Sequence, residues 1–352
     1  MPNSEHLDLK ILRCYTESEF PPGWKQRYIP EGCLDQLFSR QTIIQEFTRG
    51  AEVADEHHVD EYLEDLISFI LLSAKKLMAI CLMSGVDKGE LRQALEIFKS
   101  NQFDDKSLPL LSLDADHPPW SQLDWSPIKL SHFNGDQWRF YAPIFSKDNI
   151  KLVLENQHIL PFQLASREPK LGAFSEVYEV TIHEAHQKEP MQKLTGGHAT
   201  AAIKAFRPPA TPASKLEVDK EWEREEKALE EMRGLHHAHI VEVKAMFTWK
   251  GKGNYFMFQW ADGGNLRDLF QNNQQPTLTK DLIKEIVQQL MGLADALVAL
   301  HNLKKDGKDA GSYRHGDLKP ENILIFKDNT DIGMFKIADM GLAKHHFDDT
   351  GN

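Results

Sequence analysis

Apolar residues at Leu63, Leu66, Ile67, Ile70, Leu71, Ala74, Leu77, Met78 and Cys81 recur at steps of three and four. That period paints one face of an amphipathic helix and predicts a continuous helix through the segment. A second helix is expected after Ser84 and Gly85, with Asp87 as N-cap, Glu90 reaching back in a capping box, and Leu91, Ala94, Leu95 and Phe98 as its buried stripe. These faces read as a small helical domain packing on itself. Residues 104–127 are rich in Asp, Ser and Pro, with Trp120, Trp125 and Trp138 in or soon after them, and read as an irregular connector. The following QWRFYAPIF has the aromatic content of a strand.

From Leu160 the texture changes. SEVYEVTI, ATAAIKAF and NYFMFQW read as short strands of a small antiparallel sheet, separated by polar loops, one of them at residues 184–199. Between the second and third runs, residues 215–233 are so rich in Glu, Lys and Leu that a helix is predicted. After QNNQQPTLTK, Thr279 can cap a long helix whose buried face would carry Leu282, Ile286, Leu290, Leu293 or Ala294, and Leu297. No internal repeat is visible. The class is α+β.

Composition narrows the picture in three ways. A length of 352 residues with 41% hydrophobic content supports two folded units. Acidic residues outnumber basic ones, 53 to 41, giving a charge of -12, which argues against nucleic acid or anionic lipid as the partner. The most apolar stretch, Leu66 to Met83, is interrupted by Ser68, Ser73, Lys75 and Lys76, and two adjacent ammonium groups are costly in hydrocarbon, so no membrane span is expected. The opening MPNSEHLDLK has no apolar h-region, so no secretory signal is expected. Cys14, Cys33 and Cys81 are scattered and lack metal or disulfide spacing, which makes a reducing, intracellular compartment the expectation, cytoplasmic with the nucleus left open.

The sharpest chemistry lies in YRHGDLKPENILIF, residues 313–326, and FKIADMGLAK, residues 335–344. The first resembles the catalytic loop of the eukaryotic protein kinase domain family, H-R-D-L-K-P-E-N, in its serine/threonine style, and the second resembles the family's D-F-G segment. The resemblance implies that Asp317 accepts or orients the substrate hydroxyl proton, Lys319 neutralises the transferred phosphoryl, and Asn322 and Asp339 hold magnesium, with Gly341 allowing the backbone turn. NILIF and MFKIA are strand-like around a turn-like KDNTDIG, so a hairpin would bring Asn322 and Asp339 to one edge.

Upstream, AAIK resembles the family's V-A-I-K and implies that Lys204 meets the α and β phosphates. Its carboxylate partner would come from the Glu-rich helix. Glu225, with Leu229 and Met232 at i+4 and i+7, fits best, and Glu221 and Glu226 remain rivals. KLGAFSEVY resembles the phosphate loop but keeps only Gly172, with Lys170 and Ser175 at the outer glycine positions. Val177 would lie under adenine and Phe174 at the loop tip. YFMFQWADGGNL resembles the hinge, with Phe258 behind adenine and Gln259 to Ala261 offering backbone donors and acceptors. His236, His237 and His239 lack further ligands at metal spacing, and no zinc is assigned.

Two departures stand out. Gly316 replaces the arginine of H-R-D, which argues against control through a phosphorylated activation loop, and residues 302–312 insert a polar loop ahead of the motif. Only eleven residues follow Gly341 and no A-P-E motif appears among them. The expected organisation is a helical region at 1–103, a connector with strands at 104–156, and a kinase-like domain at 157–352 with its small antiparallel sheet plus helix and part of a helical lobe. The implied cofactors are ATP and Mg2+, and the implied partner is a protein substrate of unknown identity; oligomeric state is not readable. A catalytically weak or inactive ATP-binding pseudokinase or interaction module is the alternative. Small-molecule phosphotransferases of this architecture are disfavoured by the K-P-E-N wording.

Overall fold

The computed structural model describes residues 6–48, 61–166, 168–172, 175–188, 199–206, 212–271, 279–305, 308–309, 312–342 and 344–346. The chain divides into two compact units, one built from residues 1–144, 157–163 and 183–186, the other from residues 145–156, 164–182 and 187–352.

The first unit is mainly helical: α1 (Leu7–Cys14), a hairpin of β1 (Thr16–Ser18) and β2 (Gln26–Tyr28), then α2 (Cys33–Leu37), α3 (Arg40–Thr48), α4 (Glu61–Ser73), α5 (Lys75–Met83), α6 (Lys88–Ser100) and α7 (Pro127–Asp136). Leu7, Ile11, Ile43, Leu66, Ile70, Leu77, Leu95, Phe98 and Phe133 share one core. The helix predicted to run unbroken through residue 81 is in fact two, α4 and α5, bent by 96°. Ser73 Oγ donates back to the Phe69 carbonyl, and Ala74 leaves helical geometry at φ -135°. The new N-terminus is capped from a distance, because the Asp105 carboxylate accepts from the backbone N–H groups of Lys76 at 3.1 Å and Leu77 at 2.8 Å. Burial pushes the Asp105 carboxyl up to about 6, against those same N–H groups. Among the described residues no single helix is long and apolar enough to cross a membrane.

Two further expectations for this unit are corrected. Asp87 occupies the N-cap of α6 but its side chain makes no capping hydrogen bond, and Glu90 instead pairs with Lys129. QWRFYAPIF is not a strand, since Gln137–Phe140 form a 3-10 turn that buries Trp138 and Phe140. Aromatic residues supply core area whichever backbone carries them. Residues 104–127 are irregular, as expected, yet Trp120 and Trp125 enter the core, with ring centroids 5.4 Å and 6.0 Å from Phe98.

Cys14 and Cys33 are joined in a disulfide with Cα atoms 6.6 Å apart, which corrects the expectation of three unpaired cysteines and removes the basis for inferring a reducing compartment. Cys81 is buried and its thiol is pushed up by burial. Closing a loop over a separation of 19 residues stabilises by about 3 kcal/mol through lost unfolded-state entropy. A reducing agent is therefore expected to lower the unfolding midpoint of the helical unit in wild type, and to have no such effect on Cys33→Ser, as read by paired denaturant titrations.

The chain continues through β3 (Lys151–Leu154), β4 (Phe162–Leu164, of which only Leu164 belongs to the second unit), β5 (Lys170–Leu171), β6 (Ser175–Ile182), β7 (Ala199–Phe206), α8 (Pro212–Met232), β8 (Val243–Trp249) and β9 (Gly253–Gln259). The sheet has the neighbour order β3-β8-β9-β7-β6, antiparallel except for the β3–β8 pair, and β5 pairs with β6. On one face α8 packs through Trp222, which stacks on Phe256 at 4.1 Å between centroids.

There follow α9 (Leu266–Gln271), α10 (Lys280–His301), a short β10–β11 hairpin (Lys304–Lys305, Lys308–Asp309) inside the inserted loop, β12 (Ser312–Arg314), the hairpin β13–β14 (Ile323–Phe326, Met334–Ile337) and β15 (Lys344–His346), which pairs with β12. Thr279 Oγ1 accepts from the Leu282 N–H and caps α10. Leu282, Leu293, Ala296 and Leu300 form the buried stripe, so Leu282 and Leu293 lie as expected and Ile286 and Leu297 are half-buried, whereas Leu290 is 54% exposed and Ala294 is also exposed, a small rotation from the expected face. The offset arises where α10 receives the loop ahead of β8. His239 donates through Nδ1 to the Phe335 carbonyl at 2.7 Å, and its ring lies where a Cβ on Gly292 would stand. His237 Nε2 meets Asp295 at 3.1 Å.

Candidate active site

Lys204 sits on β7 opposite Val177 of β6 and Phe256 of β9. Side chains directly opposite on antiparallel strands share a face, so Lys204 projects to the side that α8 covers. There its Nζ lies 2.7 Å from both carboxylate oxygens of Glu225 and 3.0 Å from Asp339 Oδ1. Of the three acids the sequence left open, only Glu225 falls on the helical stripe with Trp222, Leu229 and Met232, and it is 3% exposed. Glu221 pairs with Arg224 and Glu226 with Lys151, out on the surface.

The electrostatics of this trio follow from burial and proximity. Burial works to lower Lys204, but the charges of Glu225 and Asp339 outweigh it and the ammonium is raised, held protonated. Burial pushes Glu225 up, opposed by Lys204. Asp339 is also pushed up by burial, but the Lys204 charge and the Gly341 N–H prevail and its carboxyl is held below the usual range. Asp339 has φ +63°, a left-handed conformation that aspartate tolerates better than most residues.

The loop between β12 and β13 supplies a second group. Asp317 Oδ2 accepts from Lys319 Nζ at 2.6 Å and from Asn322 Nδ2 at 3.1 Å, and Asn322 Nδ2 also reaches the Asp317 carbonyl at 2.9 Å. Pairing with Asp317 raises the Lys319 ammonium. The β13–β14 hairpin, in register Ile323↔Ile337, then ties the two groups together, because the Ala338 N–H donates to the Asn322 carbonyl at 2.8 Å. His315 was read only as part of a motif. It is 4% exposed, donates through Nε2 to the Ala338 carbonyl at 2.9 Å, and accepts the Asp317 N–H on Nδ1. Its ring therefore spans both motifs, and the signal that could have singled it out is its place two residues before Asp317.

Gly316 is needed twice over. Its φ is +77°, and a Cβ there would stand 2.5 Å from the Leu342 carbonyl oxygen. An arginine cannot occupy this position in this backbone, which gives the departure from H-R-D a steric cause. Left-handed geometry costs a side-chain-bearing residue about 1–2 kcal/mol, before the overlap with Leu342. Gly316→Ala is expected to lower the unfolding midpoint by more than that conformational term and to displace the segment carrying Asp339, seen as a joint loss of stability and nucleotide affinity.

The phosphate-loop hairpin closes through the Gly172 N–H donating to the Ser175 carbonyl at 2.8 Å. Phe174, expected at its tip, lies outside the described residues. Val177 is half-buried on the same face as Lys204. In the hinge segment Gln259 is opposite Ala201 at the end of β9, and the Ala261 carbonyl accepts from the Gly264 N–H, which leaves that carbonyl engaged in the turn.

The sequence profile described as the protein kinase domain matches residues 172–350. A cyclin-dependent kinase F-3 of Oryza sativa subsp. japonica is 36% identical over 129 residues, covering 35% of this chain and 25% of that protein. A probable serine/threonine-protein kinase fhkA of Dictyostelium discoideum is 30% identical over 134 residues, covering 38% and 19%. A mitogen-activated protein kinase sma-5 of Caenorhabditis elegans is 29% identical over 180 residues, covering 49% and 30%. The chain thus spans less than a third of the length of these relatives. With the buried trio, the Asp317 loop and a profile match over half its length, this chain belongs to the protein kinase domain family.

Proposed function

We propose that the second unit binds ATP with magnesium and transfers its terminal phosphoryl group to a serine or threonine hydroxyl of a protein. The observation that carries this is the meeting of Lys204, Glu225 and Asp339 from three separate elements at 2.7–3.0 Å. An ammonium locked between a helix and the D-x-G segment is placed to meet phosphate oxygens. Lys204 holds the nucleotide's phosphates, Glu225 fixes Lys204, Val177 and Gly172 cover the nucleotide from β6 and its hairpin, and Gln259 and Ala261 border the base.

The donor set suits a hard divalent cation. Asp339 is kept ionised, and Asn322 spends its amide nitrogen on Asp317, so its oxygen is the atom left for a ligand. Magnesium, when held by Asp339 and Asn322, supplies neutralisation of phosphate charge. Asp317 orients the attacking hydroxyl and takes its proton, and Lys319 offsets charge on the group in transfer. The intracellular space, cytoplasm or nucleus, is the proposed setting, since it supplies magnesium and ATP.

The test is direct. Purified chain is given ATP labelled at the terminal phosphate, magnesium and a panel of protein substrates, and nucleotide affinity is measured in parallel. Transfer to serine or threonine supports the proposal. Binding without transfer assigns the chain to the alternative, an ATP-binding interaction module, a reading favoured by the single glycine of its phosphate hairpin.

A further inference from the structure

Lys170 stands where a phosphate loop of the usual kind has its first glycine, and its side chain has somewhere to go. In the β5–β6 pair, Lys170 is opposite Val177 and Leu171 opposite Glu176, while Val177 in turn is opposite Lys204 across β6–β7. Directly opposed residues share a face, so Lys170, Val177 and Lys204 line one surface across three strands. Lys204 identifies that surface as the cleft side, because it reaches Glu225 and Asp339 from it. Leu171 falls on the other side and is 71% exposed.

From this position the Lys170 stem crosses to the hinge segment, where its Nζ lies 5.2 Å from the centroid of the Trp260 ring. An ammonium within about 6 Å of an indole face is attracted by the ring quadrupole. Trp260 sits between Gln259 and Ala261, with its backbone N–H donated to the Thr200 carbonyl at 3.4 Å. Glu179, two residues beyond Val177 on the same face, has its carboxyl pushed up by burial with the Lys170 charge opposing. The lysine therefore has an acid near its path and an aromatic ring at its end. Glycine at this position makes neither contact.

We propose that Lys170 and Trp260 are further nucleotide-positioning residues, a clasp from the base of the phosphate hairpin to the hinge that holds bound ATP and slows its release. This rests on the ATP assignment made above. Breaking a cation–π contact changes an equilibrium by about 3- to 30-fold, and affinity differences among variants of one site fall mostly in the dissociation rate.

The experiment uses the full chain loaded with magnesium and a fluorescent N-methylanthraniloyl ATP, chased with excess ATP in a stopped-flow instrument. The variants are Lys170→Ala, Lys170→Arg, Trp260→Ala, Trp260→Phe and the double alanine variant, each checked for an unchanged unfolding midpoint. Expected are about 3- to 30-fold faster release in each single alanine variant, little further gain in the double variant, and substantial recovery with arginine or phenylalanine. Equal release rates throughout overturn the clasp and leave ATP binding intact. Faster release in Lys170→Ala but not Trp260→Ala also overturns it, by placing the ammonium on the phosphates instead. A wild-type chain that binds no nucleotide overturns the ATP assignment and the clasp together.

Discussion

Asp317→Asn is expected to lower phosphoryl transfer by about 10²–10⁴-fold, the usual contribution of a positioned general base, while nucleotide affinity stays within about twofold. The separation follows from which atoms each group touches. Asp317 bonds to Lys319 and Asn322 and makes no contact with Lys204 or Glu225 in the described structure. Asparagine keeps the size and one acceptor oxygen, so the loop can hold its shape, but it cannot take a proton. It also removes the negative charge that raises Lys319, leaving that ammonium more available to phosphate and working against any loss of binding. Single-turnover transfer measured beside equilibrium nucleotide binding checks both halves. Equal transfer by wild type and variant would mean that Asp317 is not the base and that the loop is structural in this chain.

What could be read from the sequence tracks how local each feature is. Asp317, Lys319 and Asn322 lie within six residues, and their mutual hydrogen bonds need only the loop to fold on itself. Glu225 was distinguishable because a helix repeats every 3.6 residues, so the acid that shares a stripe with Leu229 and Met232 must point inward. The break between α4 and α5 was hidden for the opposite reason. Ala74 keeps the apolar period intact across the bend, and the cap that stabilises the second helix comes from Asp105, far along the chain. Leu290 was misplaced because the stripe of α10 is selected by what packs on it, including the His239 ring against Gly292. The Cys14–Cys33 pairing and the Lys170–Trp260 contact likewise depend on chain reversals that no periodicity encodes.

Lys204→Met provides the strongest test of the site's energetics, because stability and binding should part company. Removing one partner of a buried ion pair costs about 3–5 kcal/mol, most of it from the charge left behind. Here that charge is Glu225, 3% exposed and already pushed up by burial, with Asp339 facing the same space. Without Lys204 nothing offsets the rise, and Glu225 takes up a proton in the folded state. A carboxyl whose folded value lies above its unfolded value contributes stability at low pH and loses it as pH rises through the folded value. The variant should therefore be weakest at neutral and alkaline pH and recover toward wild type on acidification, whereas wild type, in which the Lys204 charge opposes the rise of Glu225 and holds Asp339 down, should gain much less on acidification. Adding Glu225→Leu to Lys204→Met should restore much of the neutral-pH stability, since apolar residues often replace buried ion pairs without loss, but should restore no nucleotide affinity. Denaturant titrations of the three proteins across a pH series, each paired with nucleotide binding, separate these effects. A Lys204→Met variant as stable as wild type at neutral pH would mean that Glu225 is solvated rather than buried, and the α8 contact on which the whole site depends would have to be discarded.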